Sequence, residues 1–119
     1  MKTTLEKHLL SKPSVKKDFQ EDWQAHRYLI GGKMFAMHAH DNKAAEILTL
    51  KLNSEQGQEV RERYEGKIVP GYYMNKTHWN SIYVAGNLPD NLVKKMIDES
   101  YRLVVSGLSK KVQLEIAQS

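Results

Sequence analysis

Cysteine is absent from this chain, which excludes disulfide bonds, thiolate metal sites and a cysteine nucleophile. Long apolar runs are absent as well, so the sequence offers no candidate for a membrane-spanning helix. The first residues, M-K-T-T-L-E-K-H, lack the apolar core of a signal peptide. From these absences we expect a cytoplasmic protein that does not cross a membrane.

Sequence motifs for catalysis are also missing. The pair Gly31-Gly32 lacks the rest of a phosphate-binding loop, and no serine has the glycine neighbours of a nucleophile elbow. We therefore predict that the protein is not an enzyme, has no catalytic residues and requires no cofactor.

The composition that remains is that of one folded domain spanning residues 1–119. Apolar residues make up 40% of the chain and charged residues 27%, which is typical of a globular protein with an ordinary core. The formal net charge of +4 favours anionic partners through long-range attraction. Two basic groups stand out, Lys2, Lys7, Lys12, Lys16 and Lys17 near the start and Arg61, Arg63, Lys67 and Lys76 in the second half.

Hydrophobic periodicity predicts alternating helices and strands. Helices are expected at 4–11, 54–64, 90–106 and after Ser109, and strands at 22–30, 33–40, 46–52, 68–74 and 79–85. In the second strand, alternation places Phe35, Met37 and Ala39 on one face. Close sequential strands pair antiparallel, so the sequence predicts an α+β two-layer sandwich. Its antiparallel sheet carries helices on one face, in the order α-β(3)-α-β(2)-α plus a short C-terminal helix.

Two histidines at alternate positions, His38 and His40, have a spacing that metal sites use. A third ligand would have to come from His26, His78 or Asp41, and no motif supports any of them. We favour a solvated strand end and predict no metal site.

An acidic cluster, Asp18, Glu21 and Asp22, precedes the first predicted strand. Paired carboxylates perform acid–base chemistry only where their environments separate their pKa values. Nothing in the sequence indicates such burial, so we interpret the cluster as a solvated loop.

Several segments together resemble one family. They are F-A-M at 35–37, L-T-L-K-L at 48–52, N-K-T-H-W at 75–79, I-Y-V-A-G-N-L-P-D at 82–90 and D-E-S-Y at 98–101. In order and spacing they resemble the MmcQ/YjbR-like family of small bacterial proteins. The resemblance implies a sandwich layered like type III secretion chaperones and a DNA-binding role through a double wing of strands and loops. It supplies no catalytic residues.

The segment around N-K-T-H-W is the candidate binding surface. It combines cations, hydrogen-bonding groups and aromatic rings, a mixture that contacts phosphates and stacks on bases. The candidate residues are Asn75, Lys76, His78 and Trp79, with Tyr72 and Tyr73 before them and Arg61, Arg63 and Lys67 further upstream. Trp79 is open to a second interpretation, because a tryptophan that begins a strand is often a core residue.

We conclude from the sequence that the protein binds nucleic acid, DNA in particular, in a regulatory or accessory role. The alternative is a protein-interaction module or homodimer that uses the exposed face of the sheet and has no nucleic-acid role.

Overall fold

The computed structural model describes residues 1–72 and 74–118 as an antiparallel sheet backed by helices. The helices are α1 (Thr3–Ser11), α2 (Ser54–Arg63), α3 (Asp90–Ser106) and α4 (Lys110–Ala117). The strands are β1 (Lys16–Gln20), β2 (Ala25–Ile30), β3 (Lys33–His40), β4 (Glu46–Lys51), β5 (Ile68–Pro70) and β6 (Trp79–Tyr83).

The sheet has six strands in the order β1-β2-β3-β4-β6-β5, and every neighbouring pair is antiparallel. Helix α3 lies across β2, β3 and β4, while α1 packs on α3 and α2 packs on β5 and β6. The predicted α+β sandwich with helices on one face is therefore confirmed. The predicted strand count is wrong by one, since four strands and not three precede α2.

The missed strand is β1, whose sequence K-K-D-F-Q has a single apolar residue and so carries no alternating pattern. Asp18 belongs to this strand, paired with Arg27 of β2, and not to the loop that the sequence suggested. Glu21 and Asp22 follow in a 3-10 turn, and β2 begins at Ala25, later than predicted.

A β-bulge changes the faces predicted for β3. The register between β2 and β3 shifts after Tyr28, so Phe35 and Ala36 both face the helices while Met37 and Ala39 face away. The prediction that Phe35 shares a face with Met37 is wrong for this reason. Ser100 of α3 donates a hydrogen bond of 2.5 Å to the Phe35 carbonyl, which ties the helix to the bulged strand.

The main core lies between the sheet and the helices. Fully buried side chains from both layers fill it, among them Leu9, Tyr28, Leu48, Leu50 and Ile97. The apolar stripe predicted for α3 is buried, with Val93, Met96, Ile97 and Val104 turned to the sheet. Burial of this stripe is the main reason that α3 adopts its position.

A smaller cluster lies on the opposite side of the sheet, which we call the outer face. Its buried members are Ala25, Met37, Ala39 and Ile47, with Met34, Tyr72 and Tyr83 packed against them. None of these residues belongs to a helix. The outer face is therefore covered by its own long side chains and by the segment that follows β5.

Strand β5 ends at Pro70, so the strand predicted over 68–74 is shorter than expected, and Tyr73 within it lies outside the described residues. β5 is an edge strand, a position in which a proline is tolerated. Gly31 and Gly32 form the hairpin turn between β2 and β3, with φ of 57° and 78°. In the described residues, no helix has both the length and the apolar character needed to span a bilayer.

Candidate functional site

The chain leaves the edge of the sheet after β5, passes along the outer face at Tyr72 and enters β6 at Trp79. We call its described residues here, 71–72 and 74–78, the 71–78 segment. The Gly71 N–H donates to the Trp79 carbonyl at 2.7 Å, and the Tyr72 N–H donates to Ser81 Oγ at 3.1 Å. These two bonds place Tyr72 against the outer face, beside Met37 and Ile47 of the smaller cluster.

Asn75 shapes the turn that precedes β6. Its side-chain oxygen accepts the Thr77 N–H at 2.8 Å, and its carbonyl accepts the Trp79 N–H at 3.0 Å. Both bonds belong to a compact asparagine turn. The motif N-K-T-H-W therefore has a clear structural part, which exposes Lys76 and His78 to solvent.

Lys76 lies over Tyr72. Its Nζ is 5.9 Å from the centre of the tyrosine ring and 3.3 Å from the Gly71 carbonyl oxygen. A cation at this distance from a ring is weakly attracted to it, by roughly 0.5–1 kcal/mol at an exposed site. The contact orients the ammonium group without neutralising it.

Trp79 opens β6 and pairs directly with Lys51, the last residue of β4. Its side chain is half-buried, so it is neither a full core residue nor a free surface residue. Because directly opposed residues share a face, Lys51 and Trp79 stand side by side on the outer face.

The other candidates predicted from the sequence lie elsewhere. Arg61 donates a hydrogen bond to the side-chain oxygen of Asn80, a buried residue of β6. The next residue, Ser81, faces the outer side, so Asn80 and Arg61 lie on the helical side. Arg63 pairs with Glu59 on α2 at 3.5 Å, and Lys67 is exposed at the outer edge of the sheet. The structure thus brings Tyr72, Lys76 and Trp79 together and places Arg61 and Arg63 on the helical side.

Three residues of the outer face were not singled out from the sequence. Arg27 makes two hydrogen bonds to Asp18, of 2.8 and 2.5 Å, and its guanidinium lies 5.8 Å from the ring centre of Trp23. The Arg27 hydrogen bond holds the pKa of the Asp18 carboxyl below its usual value. The third residue is Lys51, the strand partner of Trp79.

A series of hydrogen bonds links Tyr72, Tyr83 and Asp41 on the outer face. The hydroxyls of Tyr72 and Tyr83 are 2.9 Å apart, and Tyr83 donates to Asp41 Oδ2 at 3.1 Å. The hydrogen bond with Tyr72, together with burial and the Asp41 carboxylate, raises the pKa of Tyr83. Tyr83 therefore stays neutral and serves as a structural link.

Three histidines of β2 and β3, His26, His38 and His40, lie close together on the helical side. The ring centres of His26 and His38 are 6.0 Å apart, and those of His38 and His40 are 6.5 Å apart, so His38 and His40 share a face as predicted. Burial lowers the pKa of His38, and its bond to Glu46 opposes this only in part. Among the described residues, no three His, Asp or Glu side chains are arranged to hold a metal ion.

The helices themselves carry no net formal charge. The four helices carry eight basic and eight acidic residues, so the formal net charge of +4 belongs to the strands and connections. Of the acidic groups on the outer face, Asp18 is engaged by Arg27 and Asp41 by Tyr83. The outer face can therefore present a positive, partly aromatic surface to a ligand.

Comparisons with known proteins agree on one family. The model of the YjbR family matches residues 10–103. The uncharacterised protein YjbR of Escherichia coli K12 is 27% identical over 112 residues, covering 93% of this chain and 92% of that protein. The uncharacterised protein YbdF of Escherichia coli O157:H7 is 34% identical over 89 residues, covering 75% of this chain and 71% of that protein.

Solved structures show the same fold. A crystal structure of a Deinococcus radiodurans protein with a DUF419 domain superposes with a TM-score of 0.84 at 27% identity, covering 95% of this chain and 85% of that one. A Pseudomonas syringae crystal structure superposes with a TM-score of 0.71 at 21% identity, covering 87% of this chain and 98% of the other. At that identity the second likeness concerns the fold alone.

Proposed function

The chain belongs to the YjbR family, and from this premise we propose that it binds nucleic acid, DNA in particular, as a regulatory or accessory protein of the cytoplasm and not as an enzyme. The binding surface is the outer face of the sheet with the 71–78 segment. This assignment keeps Lys76, Trp79 and Tyr72 from the sequence-based set and adds Lys51.

The observation that carries the proposal is the pairing of Lys51 with Trp79, together with the exposed Lys76 in the turn that leads into Trp79. Lys51 is the direct strand partner of Trp79. The Lys76 ammonium group lies within reach of the Gly71 carbonyl oxygen, and the Gly71 N–H donates a hydrogen bond to the Trp79 carbonyl. Ammonium groups bind phosphates and an indole ring stacks on a base. These are the two kinds of contact that single-stranded or distorted nucleic acid requires.

Titration of labelled single-stranded and duplex DNA at salt concentrations between about 50 and 200 mM tests the proposal. We expect affinity to fall as salt rises, with a log–log slope of about −0.9 per neutralised phosphate on duplex DNA. Lys51→Ala should make the slope shallower by about one unit and weaken all sequences alike. Lys111→Ala, an exposed lysine of α4, removes the same charge and should leave the slope unchanged.

Failure of the parent protein to bind either DNA or RNA at low salt would refute the nucleic-acid function. An equal loss of slope in Lys51→Ala and Lys111→Ala would refute the outer face as the surface and leave only a general charge effect.

A second candidate function, self-association, is favoured by the outer edge of β1. Strand β1 pairs only with β2, and its edge exposes Phe19 and Trp23, which retain 47% and 50% of their accessible surface. An unpaired edge of this kind accepts another strand. The protein-interaction alternative is therefore better placed at this edge than on the outer face, whose centre is covered by Tyr72 and Tyr83.

The charged residues at the β1 edge favour a second copy of the chain as the partner. If two β1 edges pair antiparallel about Phe19, the end of the strand that carries Lys16 and Lys17 in each copy lies toward the 3-10 turn of the other, which carries Glu21 and Asp22. Light scattering should then give a dimer mass that Phe19→Asp reduces to a monomer. A monomer mass for the parent protein at high concentration would exclude this candidate.

A further inference from the structure

A cleft of about 360 Å³ opens where the sheet ends beside the C-terminal end of α3. Strand β3 begins there, β4 ends there and β6 begins there, so residues distant in sequence line one space. Its volume falls within the range of about 300–1,000 Å³ that is usual for small-molecule sites.

The walls of the cleft are mainly apolar and include one flat aromatic surface. Trp79 supplies the indole, and Met34, Met74 and Leu108 supply flexible or branched apolar contacts. Methionine side chains adapt to rings of different shapes. Such walls fit a planar ring stacked against the tryptophan.

Two lysines, Lys33 and Lys51, stand on the lining of the cleft. Within the described part of the chain, neither ammonium group takes part in an ion pair. No acidic residue is found among the described residues that line the cleft. The site therefore favours a ligand with a negative group beside its ring.

The other large clefts have different chemistry. A cleft of about 500 Å³ between α2 and α3 mixes three carboxylates with Arg63 and Lys95 and has no aromatic residue among its described lining. A cleft of about 330 Å³ beside the Gly31 hairpin contains Glu115 and has no aromatic wall. The cleft at Trp79 is thus distinguished by an aromatic wall together with unneutralised cations.

We propose that the cleft at Trp79 is a nucleotide subsite that holds one base with its phosphate. The base stacks on Trp79, and Lys33 and Lys51 bind the phosphate. This inference rests on the proposed function and deepens it, since it names the part of the nucleic acid, one base and its phosphate, that enters the cleft. The same chemistry would admit a free nucleotide, and the experiment separates the two sources.

The test uses Trp79 as its own reporter. Trp23→Phe removes the other tryptophan, which is exposed and outside the cleft, and leaves Trp79 as the single emitter. This variant is titrated with thymidine 5′-monophosphate, thymidine and inorganic phosphate, and excited where the nucleotide is transparent. We expect saturable quenching by the monophosphate, weaker binding of thymidine and no quenching by phosphate alone.

Charge variants in the same background identify the phosphate contacts. Lys33→Gln and Lys51→Gln should each weaken the binding of the monophosphate by about fivefold, the upper range for an exposed charge pair. Neither variant should change the affinity for thymidine. Lys111→Gln is the matched control and should titrate like its parent. Circular dichroism spectra verify that each variant is folded.

The outcomes of this test separate the subsite from the wider function. If DNA binds with a salt-dependent slope while the monophosphate leaves Trp79 emission unchanged, the subsite is wrong and the proposed function stands. If the monophosphate quenches while no oligonucleotide binds, the subsite is supported for free nucleotides and the proposed function is wrong. Equal weakening by Lys51→Gln and Lys111→Gln would overturn the phosphate assignment.

Discussion

Gly71 lies so close to Trp79 that a Cβ atom on Gly71 would stand 2.7 Å from the Cβ of Trp79 and 2.9 Å from its carbonyl carbon. Real Cβ atoms do not approach this closely, and two of the three opposed atoms, the carbonyl carbon and oxygen of Trp79, are backbone that cannot rotate away. The close approach is what permits the 71–78 segment to turn from the sheet edge onto the outer face. Gly71 therefore positions Tyr72, Lys76 and the indole together.

Gly71→Ala should displace this segment and lower the free energy of unfolding by about 1–3 kcal/mol, the usual cost of overpacking. Gly107→Ala is the control, because a Cβ there meets the Val104 carbonyl oxygen at an ordinary 3.5 Å. Urea unfolding should show a loss for Gly71→Ala and none for Gly107→Ala. Similar midpoints for both variants would mean that the segment tolerates a side chain at Gly71.

The pH dependence of stability should contain a contribution from Asp41. Hydrogen bonds from the Ala45 N–H first, and then from the Lys43 N–H and Tyr83, outweigh burial and hold the pKa of Asp41 below its usual value. The unfolded chain therefore binds this proton more readily than the folded protein. Stability from Asp41 is present above about pH 4, the pKa of an unfolded aspartate, and is lost as the pH falls through the folded value.

Urea unfolding at a series of acidic pH values measures this contribution. Asp41→Asn should be less stable than the parent at neutral pH, and the difference should shrink as the pH falls. Asp22→Asn, at an exposed residue of the 3-10 turn, removes the same charge and should follow the parent curve. A difference between parent and Asp41→Asn that stays constant with pH would assign the loss to packing.

The sequence predicted the elements that carry a strong apolar period and missed those that do not. The stripe of α3 from Leu92 to Val104 predicts its own burial, and the alternation of β4 predicts the burial of Leu48 and Leu50. The alternation does not predict the burial of Ile47 and Thr49 on the outer face. Strand β1 is polar and is held by pairing with β2, a contact remote from its local sequence. The bulge at Phe35 could not be predicted either, because the alternation of side chains between faces assumes a strand with regular pairing throughout.

The candidate site was predicted only where it is contiguous in sequence. The segment around Lys76 and Trp79 could be found because its residues are neighbours in the chain. Lys51 could not be found in this way, because its pairing with Trp79 joins residues 28 positions apart. Arg61 was misleading for the opposite reason, since closeness in sequence to Lys76 did not imply the same side of the sheet.

The layering of the fold is tested at Ile97, which is fully buried in the core between α3 and the sheet. Ile97→Ala should lower the free energy of unfolding by about 2–5 kcal/mol, because it leaves a cavity in a packed core. Leu114→Ala, at a residue of α4 that is 63% exposed, should cost less than about 0.5 kcal/mol. A cost for Ile97→Ala as small as that of the control would contradict the orientation of α3.

Arg61 and Lys76 should separate stability from binding. Arg61 is bonded to the buried side chain of Asn80, so Arg61→Ala leaves a buried amide oxygen without this donor. We expect a loss of about 1–3 kcal/mol in the free energy of unfolding, the usual cost of such a group. Lys76 is exposed, and Lys76→Ala should change stability by less than about 0.5 kcal/mol.

DNA binding should show the reverse order for the same two variants. Lys76→Ala should make the slope of log affinity against log salt shallower by about one unit, because one phosphate contact is lost. Arg61→Ala, measured at a temperature where it is fully folded, should keep the parent slope, because Arg61 lies across β6 from the outer face. A slope that falls in Arg61→Ala and not in Lys76→Ala would move the binding surface to the helical side of the sheet, against both the position of Trp79 and the charge balance of the helices.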